Sequence, residues 1–330
     1  MLVDNLGRNF SYLRLSITDR CNLRCFYCRS CEGLKFIPHE KILTYEELLS
    51  LISLSNSLGV QKVRLTGGEP FVRKDFTHFL QRLRAEQPSC DIRLTTNGTL
   101  LADKVPKLHE AGLEVVNISL DTLNRIKYQS ITGRDYFGEV RRAIDVCLSW
   151  GIRVKINVVA LKGVNDSEVE DFVQLALENP LDVRFIEFMP IGEKSIWKED
   201  RYWPISEILE SAQRVTSLTQ IEDKKKDSGP AKMYDLPEGK GRLGFISPLS
   251  AHFCHQCNRL RITSDGRLRT CLFSDKEYRL RPILRSPKLG LPAVLRVIKL
   301  ANQAKPLGYH LLEKHKKEMV CQRGMSTIGG

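Results

Sequence analysis

Residues 13 to 28 read LRLSITDRCNLRCFYC. The first half alternates apolar and polar side chains, which predicts a β-strand with one apolar face and one polar face. The second half places Cys21, Cys25 and Cys28 in a C-x3-C-x2-C spacing. Thiolates suit iron-sulfur clusters and zinc, so this segment predicts a strand that leads directly into a metal site. Three cysteines leave one corner of a four-iron cube without a protein ligand, and an iron with an open position can do chemistry.

A structural zinc site is the main alternative for these cysteines. Cys31 follows Cys28 by three residues and would complete a four-cysteine site, the usual coordination of structural zinc. Phe26 and Tyr27 lie inside the loop, and apolar cover of this kind controls solvent access and redox potential. The aromatic pair favours an iron-sulfur cluster, and spacing alone leaves zinc open.

The strand pattern recurs through residues 1–190, each time followed by a segment with the amphipathic spacing of a helix. Six strands are predicted, near Leu13–Thr18, Val60–Thr66, Ile92–Thr96, Val115–Leu120, Arg153–Val159 and Val183–Phe188. Strands that alternate with helices form a parallel sheet with right-handed crossovers.

The polar positions of these strands indicate what kind of parallel sheet this is. Strands buried on both faces are nearly continuous apolar runs, whereas here the polar phase carries Arg14, Arg64 and Lys155. We therefore predict an α/β fold with an incomplete, TIM-like (β/α)6 barrel, whose wet and positive lumen binds a large anion. A sheet with one solvent-exposed face is the alternative.

Polar loops follow the predicted strands, and catalytic groups of such barrels gather at the carboxyl ends of the strands. The second strand leads to Gly67-Gly68-Glu69-Pro70 and the third to Thr95-Thr96-Asn97-Gly98. The two glycines allow the backbone to approach a ligand closely, and Glu69 can accept a hydrogen bond from an ammonium or a ribose.

A second set of three cysteines lies near the C-terminus: Cys254, Cys257 and Cys271. Zinc with His252 or His255 as a fourth ligand is again the alternative. Arg259 and Arg261 alternate directly after the C-x2-C pair, as expected of a strand that presents guanidinium groups to an anion. This favours a second iron-sulfur cluster beside an anionic ligand.

Composition narrows the class of protein. The 330 residues include 51 lysines and arginines against 39 acidic residues, a formal charge of +12. Such an excess suits nucleic acid or a polyphosphate, but the charge is diffuse, and its densest run, Lys224 to Lys226, is expected in a solvated loop. No signal-type or membrane-length apolar run is found, so a soluble cytoplasmic protein without membrane or nucleic-acid partners is expected. In that compartment clustered cysteines bind metal more readily than they form disulfides.

Taken together, the first cysteine motif and the Gly-Gly-Glu-Pro turn resemble the radical S-adenosylmethionine (SAM) superfamily. With the second cysteine set, Arg259, Arg261 and the terminal Gly329-Gly330, the chain resembles the GTP 3′,8-cyclase family of molybdenum cofactor biosynthesis from about Leu6 to Gly330. The resemblance implies a radical SAM partial barrel over residues 1–190. Residues 191–330 would form a smaller C-terminal domain that carries a second cluster, substrate contacts and a Gly-Gly tail.

The resemblance also implies ligands for two 4Fe-4S clusters. One would bind Cys21, Cys25 and Cys28 and hold SAM, and the other would bind Cys254, Cys257 and Cys271 and hold the guanine of GTP. The implied SAM contacts are Tyr27, Gly67, Gly68, Glu69, Ser119 and Met189. The implied GTP contacts are Arg14, Arg64, Thr95, Lys155, Arg184, Arg259, Leu260 and Arg261.

The implied enzyme is a lyase that starts molybdenum cofactor biosynthesis. Reductive cleavage of SAM gives a 5′-deoxyadenosyl radical that removes the 3′ hydrogen of GTP. The C3′ radical then cyclises onto guanine C8 to give (8S)-3′,8-cyclo-7,8-dihydroguanosine 5′-triphosphate. Arg14 is the candidate catalytic residue for the last step, and Gly329 and Gly330 would reach into the site.

Several partners follow from the same resemblance. An electron donor such as flavodoxin or ferredoxin would reduce the enzyme, and cyclic pyranopterin monophosphate synthase would act downstream; the enzyme itself would be a monomer or a homodimer. Arg29, where the family commonly has methionine, and the extra Cys31 depart from the family pattern. The alternatives are another radical SAM enzyme with an auxiliary cluster, such as a peptide-maturation enzyme, and a zinc-dependent nucleic-acid-binding protein.

Overall fold

The structure is a computed structural model that describes residues 2–28, 36–192, 197–222, 229–315 and 320–329. Arg29, Cys31, the Lys224 to Lys226 run and Gly330 were singled out in the sequence and lie outside the described residues. Within the described ranges, none of the helices combines the length and the apolar character needed to cross a bilayer.

The strands include all six that the sequence predicts, with ends shifted by at most two residues. These six are β3 to β8. The strands of the described chain are β1 Leu2–Val3, β2 Asn9–Phe10, β3 Tyr12–Ser16, β4 Lys62–Thr66, β5 Asp91–Thr96, β6 Val115–Ser119, β7 Arg153–Ala160, β8 Asp182–Glu187, β9 Thr219–Gln220, β10 Lys232–Asp235, β11 Arg242–Ile246, β12 Arg259–Ile262, β13 Arg267–Arg269 and β14 Tyr278–Arg279.

Helices follow the strands, and their ends carry recognisable sequence signals. Thr44 and Glu47 form a capping box before the first helix, and Gly133, with φ of 68°, ends the fourth. The helices are α1 Tyr45–Ser57, α2 Phe76–Glu86, α3 Val105–Glu110, α4 Arg125–Thr132, α5 Phe137–Ser149, α6 Val169–Glu178, α7 Ile205–Val215, α8 Arg281–Leu284, α9 Gly290–Gln303, α10 Gly308–Lys314 and α11 Met325–Ile328.

One sheet of 12 strands runs through the molecule in the order β14-β13-β12-β3-β4-β5-β6-β7-β8-β11-β10-β9. Strands β3 to β8 are consecutive and parallel, which confirms the predicted incomplete (β/α)6 barrel. The C-terminal part contributes a parallel strand at each edge of these six: β12 pairs with β3, and β11 pairs with β8. The two parts expected from the sequence therefore share one sheet.

The two faces of the central strands differ as their alternation predicts. Leu13, Leu15 and Val63 are at most 1% exposed and belong to the main hydrophobic core, together with residues of the surrounding helices. The opposite face carries the polar residues toward a cavity. A second, small core of the C-terminal part includes Ile191, Phe273 and Ile328. It brings the end of the chain back against the barrel.

Candidate active site

The loop that follows β3 is fixed to its neighbours by backbone hydrogen bonds. Arg24 N donates to Thr132 O at 2.8 Å and Phe26 N donates to Ile131 O at 3.1 Å, so the end of α4 supports the loop. Cys21, Cys25 and Cys28 all line the cavity. The local fold therefore holds the three thiols at the carboxyl end of β3.

The Gly-Gly-Glu-Pro turn after β4 packs against this loop. Gly68 N donates to Thr18 O and Glu69 N donates to Arg20 O, both at 2.7 Å. A Cβ on Gly67 would lie 2.4 Å from Thr18 O, and one on Gly68 would lie 2.1 Å from Arg20 O. The glycines are needed here because the two backbones touch. The close approach predicted toward a ligand is thus made to the cysteine loop, while Gly67 and Gly68 also line the cavity.

The Glu69 carboxylate is held by neighbouring groups of the protein. Its side chain is completely buried and is absent from the cavity wall. The carboxylate accepts hydrogen bonds from Asn97 N at 2.7 Å, Thr96 Oγ1 at 2.8 Å and Phe71 N at 3.1 Å. Burial raises its pKa to about 7 against these three donors. In this structure the Glu69 carboxylate joins the ends of β4 and β5, and its contact with SAM stays a prediction.

The second set of cysteines gathers at the opposite end of the strands. Cys257 lies two residues before β12, which runs parallel to β3, and Cys271 lies two residues after β13, which runs antiparallel to β12. Cys21, by contrast, follows the end of β3. A five-residue strand spans roughly 15 Å, so the two cysteine sets face the cavity from opposite ends of the lumen.

Residues far apart in sequence hold the second set in place. Arg8 Nη1 donates to Cys254 O at 2.9 Å, and Lys305 Nζ donates to Cys257 O at 2.6 Å. A Cβ added to Gly308 would lie 2.8 Å from Cys271 Sγ and 3.7 Å from Cys254 Sγ. The glycine therefore leaves a cradle between two thiols that a side chain would fill.

One cavity of about 720 Å³ joins both cysteine sets. Its wall contains 18 of the predicted site residues: Arg14, Cys21, Cys25, Tyr27, Cys28, Arg64, Gly67, Gly68, Thr95, Ser119, Lys155, Arg184, Met189, Cys254, Cys257, Arg259, Arg261 and Cys271. Among the described residues, the predicted site residues outside this wall are Glu69, Leu260 and Gly329.

Leu260 lies outside this wall because of strand alternation. It is fully buried in the main core, while its neighbours Arg259 and Arg261 line the cavity. Successive side chains of a strand point to opposite faces. The Leu260 side chain therefore faces away from the cavity, and its contact with GTP stays a prediction.

Arginines lie side by side on the lumen face. Arg14 is in register with Arg261 on β12 and with Arg64 on β4, which is in turn in register with Arg93 on β5. Adjacent strands are about 4.8 Å apart, and like charges placed directly opposite are destabilising. Such a row therefore favours the binding of an anion.

Arg184 and Lys155 are two further cations of the cavity, and burial lowers the pKa of each. Arg184 Nε and Nη2 are buried and make no hydrogen bond within the described residues. Burial, and then the Arg64 charge, lower the pKa of Arg184 to about 9. Burial also lowers the pKa of Lys155 to about 8, although its Nζ lies 3.2 Å from Asp182 Oδ2. Both cations line the cavity, which therefore suits a highly charged anion.

Aromatic and carboxyl groups border the first cysteine set. The Tyr27 hydroxyl donates to Asp121 Oδ2 at 2.5 Å, and Val159 N donates to Asp121 Oδ1 at 2.8 Å. Burial raises the pKa of Asp121 to about 6. Tyr27 also packs edge-on against Phe188, with ring centroids 6.3 Å apart. Ser119 and Met189 line the same region of the wall, which combines apolar surface with a few polar groups as ligand pockets do.

The C-terminal segment returns to the cavity. Arg261 Nη1 donates to Gly329 O at 2.7 Å. Gly329 has φ of 73°, and a Cβ there would lie 2.8 Å from Thr66 Cγ2. Met325 and Ser326 line the wall. The structure thus brings the tail to an arginine of the lumen.

Some residues that line or support the site were not predicted from the sequence. Tyr12 lines the cavity, and Arg64 Nε donates to its hydroxyl. Tyr12 lies in the same phase of β3 as Arg14, so the alternation could have found it. Arg8, Lys305 and Gly308 carry no local signal, because long-range packing alone brings them to the second cysteine set.

The two cysteine sets suit clusters better than single ions. Among the described residues, no three histidine, cysteine or acidic side chains are grouped to bind one metal ion. His252 Nδ1 instead contacts Pro248 O at 2.9 Å. In a cubane each cysteine binds a different iron, so its thiolates stand further apart than around one zinc. The two sets of three cysteines and the cradle at Gly308 therefore fit iron-sulfur clusters.

The thiol pKa values point the same way at the first set. Burial raises the pKa of Cys25 well above its ordinary value, and the neighbouring Cys28, Asp121 and Cys21 raise it further. At the second set, burial acts to raise the pKa of Cys257, but Arg259 and Lys305 lower it to about 6. Packed thiolates repel one another unless a cation binds them, and metal ligation supplies that charge.

Two family models match the chain in succession. The radical SAM superfamily model covers residues 15–176, and the Molybdenum Cofactor Synthesis C model covers residues 181–311. Curated relatives match over essentially the whole length. The chain is 42% identical over 330 residues to a GTP 3′,8-cyclase of Desulforamulus reducens, covering 100% of both chains. It is 45% identical over 328 residues to that of Alkaliphilus oremlandii, covering 99% of each.

Solved structures share the fold. SuiB of Streptococcus suis matches with a TM-score of 0.59 at 14% identity, covering 96% of this chain and 78% of that chain. SuiB bound to S-adenosylmethionine matches with a TM-score of 0.56 at 14% identity, covering 97% and 77%. At this identity the likeness concerns the fold alone.

Proposed function

The chain belongs to the GTP 3′,8-cyclase family of the radical SAM superfamily, and on that premise we propose that it converts GTP to (8S)-3′,8-cyclo-7,8-dihydroguanosine 5′-triphosphate, the first step of molybdenum cofactor biosynthesis. One observation carries the proposal: both cysteine sets line a single cavity whose wall is rich in arginine. As a carbon-carbon bond-forming cyclase the enzyme would be classed as a lyase.

Cys21, Cys25 and Cys28 would hold one 4Fe-4S cluster, and Cys254, Cys257 and Cys271 a second. With SAM bound, the first cluster would supply the radical chemistry that removes the 3′ hydrogen of GTP. Tyr27, Gly68, Ser119 and Met189 would orient SAM because they border that end of the cavity.

The cationic lumen would bind the triphosphate. Arg64 and Arg184 are buried, Arg14 is half-buried, and all three line the cavity. A guanidinium group can bind two phosphate oxygens at once. Thr95 accepts from Arg64 Nη1 at 3.2 Å and so directs that side chain. Lys155 lines the same wall, and Arg259 and Arg261 lie next to the second cysteine set, where the guanine would lie. Arg14 would act last, as a proton donor to the cyclised product.

We also propose the partners implied by this chemistry. A low-potential donor such as flavodoxin or ferredoxin would supply electrons, and cyclic pyranopterin monophosphate synthase would consume the product. The enzyme would work in the cytoplasm, where GTP is available, as a monomer or a homodimer.

A peptide-maturation enzyme is the rival within the superfamily. Such enzymes usually need more cysteines in the C-terminal region, and here Cys321 alone follows Cys271. Cys321 is fully buried and accepts a hydrogen bond from Arg269 Nη2 at 2.9 Å. It is therefore in no position to hold a further cluster.

The test is anaerobic incubation of the reconstituted enzyme with SAM, dithionite and GTP, with ATP as the matched control. We expect 5′-deoxyadenosine to form and GTP, but not ATP, to be consumed. Arg259→Ala should weaken GTP binding while both clusters stay intact. SAM cleavage without loss of GTP would contradict the cyclase.

Metal analysis tests the cluster count separately. About eight irons per chain with matching sulfide would support two cubanes. Zinc without sulfide would point instead to the zinc-dependent class of protein.

A further inference from the structure

Asn97 lies directly after β5 and contacts the first cysteine set. Its side-chain Nδ2 lies 3.6 Å from Cys21 Sγ, an ordinary distance for a nitrogen donor and a sulfur acceptor, and 2.9 Å from Asn22 Oδ1. The residue is 9% exposed, so water competes little for this donor. Leu23 N donates to the same sulfur at 3.4 Å.

The orientation of the Asn97 amide is fixed by its other partners. Thr99 N donates to Asn97 Oδ1 at 3.0 Å, and the Thr99 hydroxyl lies 2.8 Å from the same oxygen. A backbone N–H can only donate, so the atom that faces Thr99 N must be the amide oxygen. The amide nitrogen therefore faces Cys21.

Glu69 holds the backbone of Asn97. Its buried carboxylate accepts a hydrogen bond from Asn97 N at 2.7 Å. It also accepts hydrogen bonds from the Thr96 hydroxyl and from the backbone N of Phe71. Glu69 N donates a hydrogen bond to the carbonyl oxygen of Arg20, the residue before Cys21. The end of β5, the Gly-Gly-Glu-Pro turn and the cysteine loop thus form one connected hydrogen-bond network around the sulfur.

We propose that Asn97 is a positioning residue that raises the reduction potential of the first cluster through its hydrogen bond to Cys21 Sγ, with Glu69 holding it in place. The inference rests on the proposed cluster at Cys21, Cys25 and Cys28. Hydrogen bonds to cluster sulfurs set the potential, because a donor stabilises the more negative, reduced state. The Thr96-Asn97-Gly98 motif thereby gains a role in the electron-accepting step.

The test is a redox titration of the cluster-loaded enzyme, followed by electron paramagnetic resonance. The signal that changes when SAM is added reports the first cluster. Asn97→Ala should move the midpoint potential of that signal to more negative values and leave the second signal unchanged. An unchanged potential in a variant with full iron content overturns the proposal.

A second variant, Asn97→Asp, tests the proposal if Asn97→Ala does not bind its clusters. Asn97→Asp keeps the oxygen that Thr99 needs, removes the amide donor and adds a negative charge, so it should shift the potential in the same direction and further. Asn165→Ala is the matched control. Asn165 is 4% exposed, and its side chain joins Leu161 N, Asp121 O and Val159 O at neighbouring strand ends. An equal shift in Asn165→Ala would mean general loosening and would overturn the proposal.

The proposal and the proposed function can fail separately. A shifted potential in an enzyme that leaves GTP unchanged would refute the cyclase and keep the role of Asn97. Normal GTP turnover with an unshifted potential in Asn97→Ala would refute only the role of Asn97.

Discussion

Tyr12 interacts closely with the arginines of the lumen. It is in register with Arg259 and Lys62, and Arg64 donates to its hydroxyl. Burial acts to raise its pKa, but Arg64 and Arg14 lower it to about 7. The hydroxyl thus holds the Arg64 side chain in position in the lumen before an anion binds.

Tyr12→Phe should therefore weaken GTP binding. A hydrogen bond to a charged group contributes about 1.5 kcal/mol or more, so we expect roughly a tenfold higher KM for GTP. SAM cleavage should keep most of its kcat, because the first cysteine set is untouched. Tyr45→Phe is the control, since its hydroxyl donates to Lys74 O at 2.8 Å outside the cavity. Equal KM values for wild type and Tyr12→Phe would contradict this role.

The raised pKa of Glu69 predicts that the stability of the folded protein depends on pH. Burial raises its pKa from 4.5 to about 7, so between these values the folded protein binds more protons than the unfolded chain. The slope of the unfolding free energy with pH is then negative, and stability falls as pH rises through this window, by at most about 3 kcal/mol. Glu69→Gln cannot titrate. The wild-type Tm should therefore fall relative to the Glu69→Gln Tm between pH 5 and 8, and a constant difference would rule this out.

Gly308 offers a test of the second cysteine set. A Cβ there would lie within 3 Å of Cys271 Sγ, so Gly308→Ala should displace a cluster ligand. We expect iron content to fall toward about four per chain, with the SAM-sensitive signal retained. Gly138→Ala is the control, because a Cβ at Gly138, also near the start of a helix, meets nothing within 4 Å. Full iron content in Gly308→Ala would count against the second cluster.

Elements rather than single residues bring the ends of the chain to the cavity. Arg269 is fully buried and joins Glu277 Oε1 at 2.6 Å, and Arg323 joins Asp265 Oδ1 at 3.2 Å. Gly192 N donates to Cys321 O at 2.7 Å. These contacts anchor the segment that precedes α11 and so direct Gly329 toward Arg261.

Deleting Gly329 and Gly330 should suppress turnover with both clusters intact. The deletion removes the carbonyl that accepts from Arg261 at 2.7 Å, which frees a guanidinium beside the proposed substrate. Product formation should fall by at least tenfold in an anaerobic assay, while iron content stays near the wild-type value. A truncated enzyme with full activity would refute a role for the tail.

The strands show what the sequence could and could not predict. Period-two alternation identified all six central strands, and it placed Arg14, Arg64 and Lys155 on one face, because side-chain direction in a strand is a local property. The same rule places the Leu260 side chain on the opposite, core-facing side. The pairing of β11 and β12 with opposite edges of the barrel was not predicted, because such contacts join segments far apart in sequence and leave no local pattern. The hydrogen bonds of the Glu69 carboxylate were not predicted either, because a motif does not reveal which way a carboxylate points.

On the scale of the whole molecule, the continuous sheet places the two cysteine sets. Because β12 is parallel to β3, the cysteines before β12 and those after β3 lie at opposite ends of one lumen. A nucleotide held on the arginines between them would meet both ends. The architecture therefore supports the proposal that a radical is made at one end and the substrate base is held at the other.

The most direct test of this account is the fate of the 3′ hydrogen of GTP. The enzyme would be incubated anaerobically with SAM, dithionite and GTP deuterated at C3′, and the 5′-deoxyadenosine would be analysed by mass spectrometry. The account predicts that the deuterium is transferred into 5′-deoxyadenosine as GTP is consumed. Unlabelled 5′-deoxyadenosine formed while GTP is consumed would contradict it.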